Sequence, residues 1–264
     1  MNIFMRELKS SRKSLAIWSG VMALLIFVGA AKFSAYYGDP SMLAMLDAMP
    51  KALVDAMSLR AFNLTTLTGF YGLMFLYFAL MGAVAAAMWG ADTISKEERD
   101  KTVEFSLVLP VSRSRVVTAK ALAAVVNCVI FVLVTWVCSV AAAQAYNPDQ
   151  AFYSFLALEM EAMFLIELIF LAVGLLLGCA MKEYKLSSSV AVGIILVTYI
   201  LSVVSGMRPN LDFLKYVSPF KYFDAAALLR DGGFSGSYLL LAAAVIAVSV
   251  AGAYWTYNRR DLYI

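Results

Sequence analysis

The sequence has 264 residues, of which 62% are hydrophobic and 15% charged, with a formal net charge of +3 and a mean hydropathy of +0.80. Soluble domains are about 45–50% apolar and about 25% charged, so this composition excludes an ordinary soluble domain. The small positive charge is spread along the chain, which excludes the concentrated basic patch of a nucleic-acid-binding protein.

Long apolar segments predict an all-α integral membrane protein with six transmembrane helices. A helix needs about 20 mostly apolar residues to cross about 30 Å of hydrocarbon, where its backbone groups must be satisfied internally. The predicted spans are 14–36, 69–91, 119–143, 155–181, 187–207 and 237–257. No repeat or linker divides the chain, so we expect a single transmembrane domain over residues 1–264.

Three segments outside the spans carry their own patterns. Residues 1–13 mix apolar and basic side chains, which predicts a short elbow helix lying in the membrane interface. The loops 37–68 and 208–236 are both predicted to contain short helices. In the first loop, Asp39 is a candidate N-cap of one helix and Pro50 a candidate start of a second. We favour lipid over an exported hydrophobe as the contact of the apolar faces in 37–68.

Lysine and arginine predict the orientation, because cytoplasmic segments are enriched in them. One set of segments is rich in these residues: 1–13, 92–120, 182–185 and the C-terminus. The opposite loops contain fewer of them. We therefore expect both termini on the cytoplasmic side, with 37–68 and 208–236 outside.

The charged stretch KEERDKTVE at residues 96–104 interrupts the apolar pattern. Glu97 and Glu98 precede Lys101 by four and three residues, which favours a helix over 95–108 that Pro110 ends. Ser112 is a candidate N-cap for the third span. Physical reasoning alone leaves a solvated loop and a docking helix open, although the bulky Phe105 and its apolar neighbours favour docking.

Other candidate residues lie within the spans. Glu159 and Glu167 are ionisable groups in the fourth span, and such groups in hydrocarbon are costly and usually functional. We assign both to a candidate substrate path, with a structural hydrogen bond as the alternative. Small residues that permit close helix packing recur in two spans: Gly82, Ala86, Gly90, Gly174 and Gly178.

The segment 94–120 resembles the region between the second and third spans of ABC-2 type permeases, the membrane subunits of a class of ATP-binding-cassette exporters. The residues that match the family's pattern are Glu98, Arg99, Lys101, Thr102, Glu104, Pro110, Ser112, Arg113 and Lys120. The C-terminal YNRRDLYI and the layout of six spans are also similar to that family.

This resemblance implies an ABC-2, type V exporter-like transmembrane domain whose loop 92–118 carries a coupling helix that docks on a separate ATPase. The residues to which it assigns ATPase coupling are Glu97, Glu98, Arg99, Lys101, Thr102, Glu104, Phe105, Pro110 and Arg113. It further implies two kinds of partner, ABC ATPase subunits and a second permease copy or homologue. The expected location is the plasma membrane, and specifically the cytoplasmic membrane of a bacterium. The sequence has no G-x-x-x-x-G-K-[ST] motif, so ATP and Mg²⁺ are expected on the partner.

Two other function classes remain open. An ion- or proton-coupled secondary transporter would use Glu167 without an ATPase. A membrane-embedded enzyme would need a catalytic base, and the chain has no histidine. We therefore expect no catalytic residues and no metal site in this chain.

Overall fold

The computed structural model describes residues 3–35, 37–39, 48–51, 54, 61–99, 112–181, 183–207 and 209–259, with the side chains of 95–99, 184, 185, 209 and 212 left out. Within these ranges the secondary structure is helical and contains no strand, which confirms the all-α prediction. The helices are α1 (Ile3–Phe33), α2 (Leu67–Arg99), α3 (Arg113–Ala143), α4 (Gln150–Ala180), α5 (Tyr184–Ser205), α6 (Pro219–Tyr222), α7 (Ala225–Asp231) and α8 (Gly236–Arg259).

Six of the described helices are long and apolar enough to cross a membrane: α1 to α5 and α8. Each contains most or all of a predicted span, so the number and order of the spans are confirmed. The helices α2 and α4 are the most buried and form the centre of the bundle. The helices α1, α5 and α8 leave most of their apolar surface exposed, as expected for contact with lipid.

Local sequence signals account for several helix ends. The Ser112 hydroxyl accepts a hydrogen bond from the Arg115 amide at 3.3 Å, so Ser112 caps α3 as its sequence position indicated. At the start of α4, the Asp149 carboxylate accepts one from the Phe152 amide at 2.8 Å. Between α3 and α4, Asn147 takes a left-handed conformation with φ of 49°, which turns the chain back within a few residues.

The first helix is continuous, whereas the sequence predicted a separate elbow helix over residues 1–13. The helix α1 runs without interruption from Ile3 to Phe33, so residues 3–13 form its first turns instead of a separate helix. The physical reason is that the junction SSRKSLA at residues 10–16 contains neither proline nor glycine, so nothing in it breaks the helix. Where these turns lie relative to the membrane interface stays a prediction.

The two loops predicted to be external differ in how much of each is described. Within 37–68, the Val54 amide donates to the Pro50 carbonyl oxygen at 3.2 Å, which makes one helical turn after Pro50. Most of the two helices predicted there lies outside the described residues. The segment after α5 contains a 3-10 helix (Pro209–Tyr216), α6 and α7.

Burial raises the pKa of the Tyr222 hydroxyl, which donates to the Tyr216 carbonyl oxygen.

Among the described helices, α2 and α4 share the most extensive contact, and their backbones touch. A Cβ atom at Gly90 would collide with the Leu171 carbonyl oxygen and lie 2.8 Å from the Leu175 amide nitrogen. A Cβ at Gly178 would lie 2.5 Å from the Ala91 carbonyl oxygen. Glycine at these positions therefore lets the two helices approach until their backbones touch.

We predict that Gly90→Ala destabilises the protein by about 1–3 kcal/mol, because the added methyl group has no room against the backbone of α4. The measurement is the midpoint of thermal unfolding of the detergent-solubilised protein. Gly193→Ala on α5 is the matched control, since a Cβ at Gly193 meets nothing within 4 Å. Equal midpoints for the two variants would contradict the assignment of Gly90 to a backbone contact.

Candidate functional site

The two described ends of the segment 92–118, which contains the charged stretch and is called the charged segment below, belong to the neighbouring helices α2 and α3. The helix α2 continues to Arg99, so residues 95–99 extend the second span instead of starting a new helix. Glu97, Glu98 and Arg99 thus lie on the last turns of α2. Their side chains are not described, and Lys101, Thr102, Glu104, Phe105 and Pro110 fall outside the described residues.

A buried lysine ties these two ends together. The Lys120 ammonium group on α3 donates a hydrogen bond of 2.7 Å to the Thr93 carbonyl oxygen on α2. Lys120 is only 1% exposed and Thr93 only 2%. Because a buried charge is costly unless it is hydrogen-bonded, this contact holds α2 and α3 together where the charged segment begins and ends.

The start of α3 is also attached to the end of α8 through polar contacts. The Arg113 guanidinium donates to the Tyr257 carbonyl oxygen at 3.3 Å, and the Thr118 and Tyr254 hydroxyls lie 2.6 Å apart. The Ser114 hydroxyl accepts from the Asn258 amide group at 3.3 Å. Of the residues assigned to ATPase coupling, Arg113 is therefore the one whose described side chain joins two spans.

A family model described as ABC-2 family transporter protein matches residues 1–262. The chain belongs to this family. A search of curated proteins finds no match. The family and the six apolar helices together identify a multi-pass membrane permease of an ABC transporter. The ABC-2 family also implies ABC transporter ATPases as partners of this permease in general terms.

The small residues singled out in the sequence occupy two kinds of environment in this ABC-2 permease. Gly90, Gly174 and Gly178 lie in the backbone contact between α2 and α4, and Ala86 is fully buried. Gly82 has a different neighbour, since a Cβ there would lie 2.8 Å from the Glu167 Oε1 atom and 2.9 Å from the Met163 methyl group. Gly82 thus makes room for a carboxyl group.

Glu159 and Glu167 are both 0% exposed and face the interior of the bundle. The Cys128 thiol on α3 faces Glu167, although no hydrogen bond of standard geometry joins the two side chains. Glu159 lies near the hydroxyl group of Tyr71, which donates to the Ser139 carbonyl oxygen at 3.1 Å. Among the described protein atoms, neither carboxyl group has a hydrogen-bond partner. Their proposed place on a substrate path stays a prediction.

Sequence reasoning missed a polar face on α1. Glu7, Ser10, Ser11 and Ser14 recur at the i, i+3, i+4 and i+7 positions of one helical face and line a cavity against α2 and α3. The Trp89 indole donates to the Ser14 hydroxyl at 3.0 Å across this contact. The signal that could have found this face is the helical spacing of its polar residues. A mean hydropathy over a sequence window does not detect such spacing, because the mean combines all faces of the helix.

We predict that Lys120→Ala destabilises the permease by about 1–3 kcal/mol, because it removes the hydrogen bond to Thr93 and leaves a buried hole. The midpoint of thermal unfolding in detergent measures the effect. Lys9→Ala is the matched control, since Lys9 is exposed on α1.

Lys120→Met separates the two causes, because it keeps the apolar stem and removes the ammonium group. A Lys120→Met variant that unfolds at the same temperature as the unmutated protein would assign the stabilisation to packing. That result would contradict the role given to the hydrogen bond.

Proposed function

We propose that this chain is the permease subunit of an ATP-driven exporter and forms half of the translocation pathway, paired with a second permease copy or homologue. The segment 92–118 would dock on a separate ATPase subunit and transmit its motion to the spans. The observation that carries this proposal is the attachment of both ends of the segment to the helix bundle through Lys120 and Arg113. ATP and Mg²⁺ would bind to the partner ATPase.

The charge of the segment supports a docking role. The residues KEERDKTVE begin on the last turns of α2, and the lysine and arginine pattern predicts that they lie in the cytoplasm together with both termini. Charged groups at a protein interface determine orientation and partner choice, while apolar groups beside them provide buried area. Phe105 and its apolar neighbours would fill that second role.

The packing of the bundle supports a route by which the motion would spread. Because α2 contacts α4 through backbone atoms at Gly90 and Gly178, a displacement of the end of α2 would move α4 with it. The polar contacts of Arg113 and Thr118 would carry a displacement of α3 to α8. The movement of one segment would thus reach four spans, and export would follow from their outward opening.

We expect that replacing Glu98 and Arg99 together with alanine uncouples the permease from its ATPase. Loss of two charged contacts at an interface is expected to reduce the permease-dependent change in ATPase turnover about tenfold or more. The measurement compares ATP hydrolysis by the ATPase alone and with each permease variant in proteoliposomes, together with copurification of the two proteins.

Glu183→Ala is the control for this pair, since Glu183 is an exposed acidic residue between α4 and α5 on the same predicted membrane side. It should leave both readings unchanged. Unchanged ATPase stimulation by the Glu98 and Arg99 double variant would remove these residues from the coupling role. Failure of the unmutated permease to copurify with any ATPase would contradict the proposed function itself.

A secondary transporter that uses Glu167 is the alternative, and the burial of that carboxyl group bears on it. Glu167 is enclosed by α2, α3 and α4, with Gly82 and Cys128 against it. A residue that binds and releases an ion must be reached by water in at least one state. Complete enclosure therefore favours a packing role for Glu167.

We predict that Glu167→Gln leaves ATPase stimulation unchanged, because the glutamine amide keeps the shape of the side chain and cannot bind or release a proton. We also expect no nucleotide-independent proton flux in proteoliposomes with a trapped pH-sensitive dye. Glu161→Gln is the matched control, because Glu161 is exposed on the same helix. Proton flux without ATP that disappears in Glu167→Gln would establish the secondary transporter instead.

A further inference from the structure

A polar cavity of about 300 Å³ lies between α1, α2 and α3, toward the N-terminal end of α1. Its volume is at the lower end of the range for small-molecule sites, which is about 300–1,000 Å³. The cavity is partly open, with the exposed residues Ser10 and Lys13 at its rim and the buried residues Thr93, Lys120 and Asn127 at its base.

Hydrogen bonds between the three helices hold the walls of this cavity in place. The Ser11 hydroxyl donates to the Asn127 side-chain oxygen at 3.3 Å, which joins α1 to α3. The Trp89 indole donates to the Ser14 hydroxyl, which joins α1 to α2, and Lys120 joins α3 to α2. The cavity is thus built from side chains whose positions are fixed by one another.

The charges that line the cavity balance. Its basic side chains are Lys13 and Lys120, and its acidic side chains are Glu7 and Asp92. The Lys120 ammonium group donates to the Thr93 carbonyl oxygen, and the Asp92 carboxylate accepts from the Ser188 hydroxyl on α5 at 3.5 Å. Pockets between transmembrane helices that bind anionic lipids are basic, so this lining does not fit a purely anionic headgroup. It fits a ligand that carries one positive and one negative group at a short distance from each other.

The surface beside the cavity is apolar and exposed. At 100° per residue, Ile17, Val21 and Leu24 follow Ser10 along one stripe of α1. These three side chains are 67%, 45% and 64% exposed. A ligand whose polar head occupies the cavity could therefore lay acyl chains along this stripe.

We propose that the cavity binds a membrane phospholipid whose headgroup carries a phosphate and a primary ammonium group, as in phosphatidylethanolamine. Lys13 and the hydroxyl groups of α1 contact the phosphate, and the carboxylates of Glu7 and Asp92 accept hydrogen bonds from the ammonium group. Choline, which has no N–H, is recognised mainly by cages of aromatic rings. Trp89 is the one aromatic side chain in the described lining, so the site selects the primary ammonium group.

This inference goes beyond the proposed transport function, because lipid binding needs neither the ATPase nor ATP. The test is native mass spectrometry of the full-length chain released from mixed micelles that contain equal amounts of phosphatidylethanolamine, phosphatidylcholine and phosphatidylglycerol. We expect about tenfold more bound phosphatidylethanolamine than either other lipid, as expected for one additional charge-assisted hydrogen bond.

Variants at the cavity then locate the site. Glu7→Gln should reduce the preference for phosphatidylethanolamine over phosphatidylcholine to about twofold or less, since it removes the charge that attracts the ammonium group. Glu183→Gln should keep the full preference, because Glu183 is exposed and lies outside the cavity. Unfolding midpoints equal to that of the unmutated protein show that both variants are folded.

Lys13→Gln tests the phosphate contact and should lower the binding of phosphatidylethanolamine and phosphatidylcholine alike. Glycerophosphoethanolamine, which has the headgroup without acyl chains, should not displace the bound lipid. Displacement at equal concentration would overturn the lipid assignment in favour of a soluble ligand.

Three results would overturn the proposal as a whole. Equal retention of the three lipids would mean that only general surface lipid is bound. Preference for phosphatidylglycerol would mean that the cavity acts as a basic site. A phosphatidylethanolamine preference that survives both Glu7→Gln and Asp92→Asn in folded protein would place the site elsewhere.

Discussion

Close backbone contact between α2 and α4 is the constraint on which the rest of this structure depends. In a bilayer, apolar side chains gain little by leaving lipid for another helix, so association relies on van der Waals contact and on hydrogen bonds. Glycine at positions 90, 174 and 178 brings carbonyl oxygens of one helix against the backbone of the other. The position of α2 is thereby fixed, and the charged segment leaves the bundle from a rigid helix.

A second constraint acts where that segment returns. A lysine buried in α3 has few ways to satisfy its ammonium group, and Lys120 uses the Thr93 carbonyl oxygen on α2. The start of α3, about two turns before Lys120, is attached to α8 through Arg113 and Tyr257. The two described ends of the segment 92–118 are therefore both attached to the helix bundle.

The spans could be predicted because the bilayer requires about 20 mostly apolar residues in each, so every span is visible in the sequence as a long apolar segment. Continuity of α1 was not predicted, since the basic residues at 6–13 mark a membrane boundary but do not break a helix. The polar cavity was missed for a related reason: Glu7, Ser11 and Ser14 lie in the polar and basic stretch 7–14, which marks a membrane boundary, and only their helical spacing places them on one face. The burial of Lys120 depends on tertiary contacts that no local pattern records.

The interface between α2 and α4 is not uniform along its length, and this bears on how movement spreads. Near the charged segment, the helices touch through backbone atoms at Gly90 and Gly178, which cannot rearrange without separating the helices. Two turns further from that segment, Gly82 meets the Glu167 side chain instead. A side chain at such a contact can change its rotamer, whereas two touching backbones have no comparable freedom. In the proposed transport cycle, we therefore expect the end of the interface nearest the charged segment to move as one body, and the middle to adjust around the buried carboxyl group.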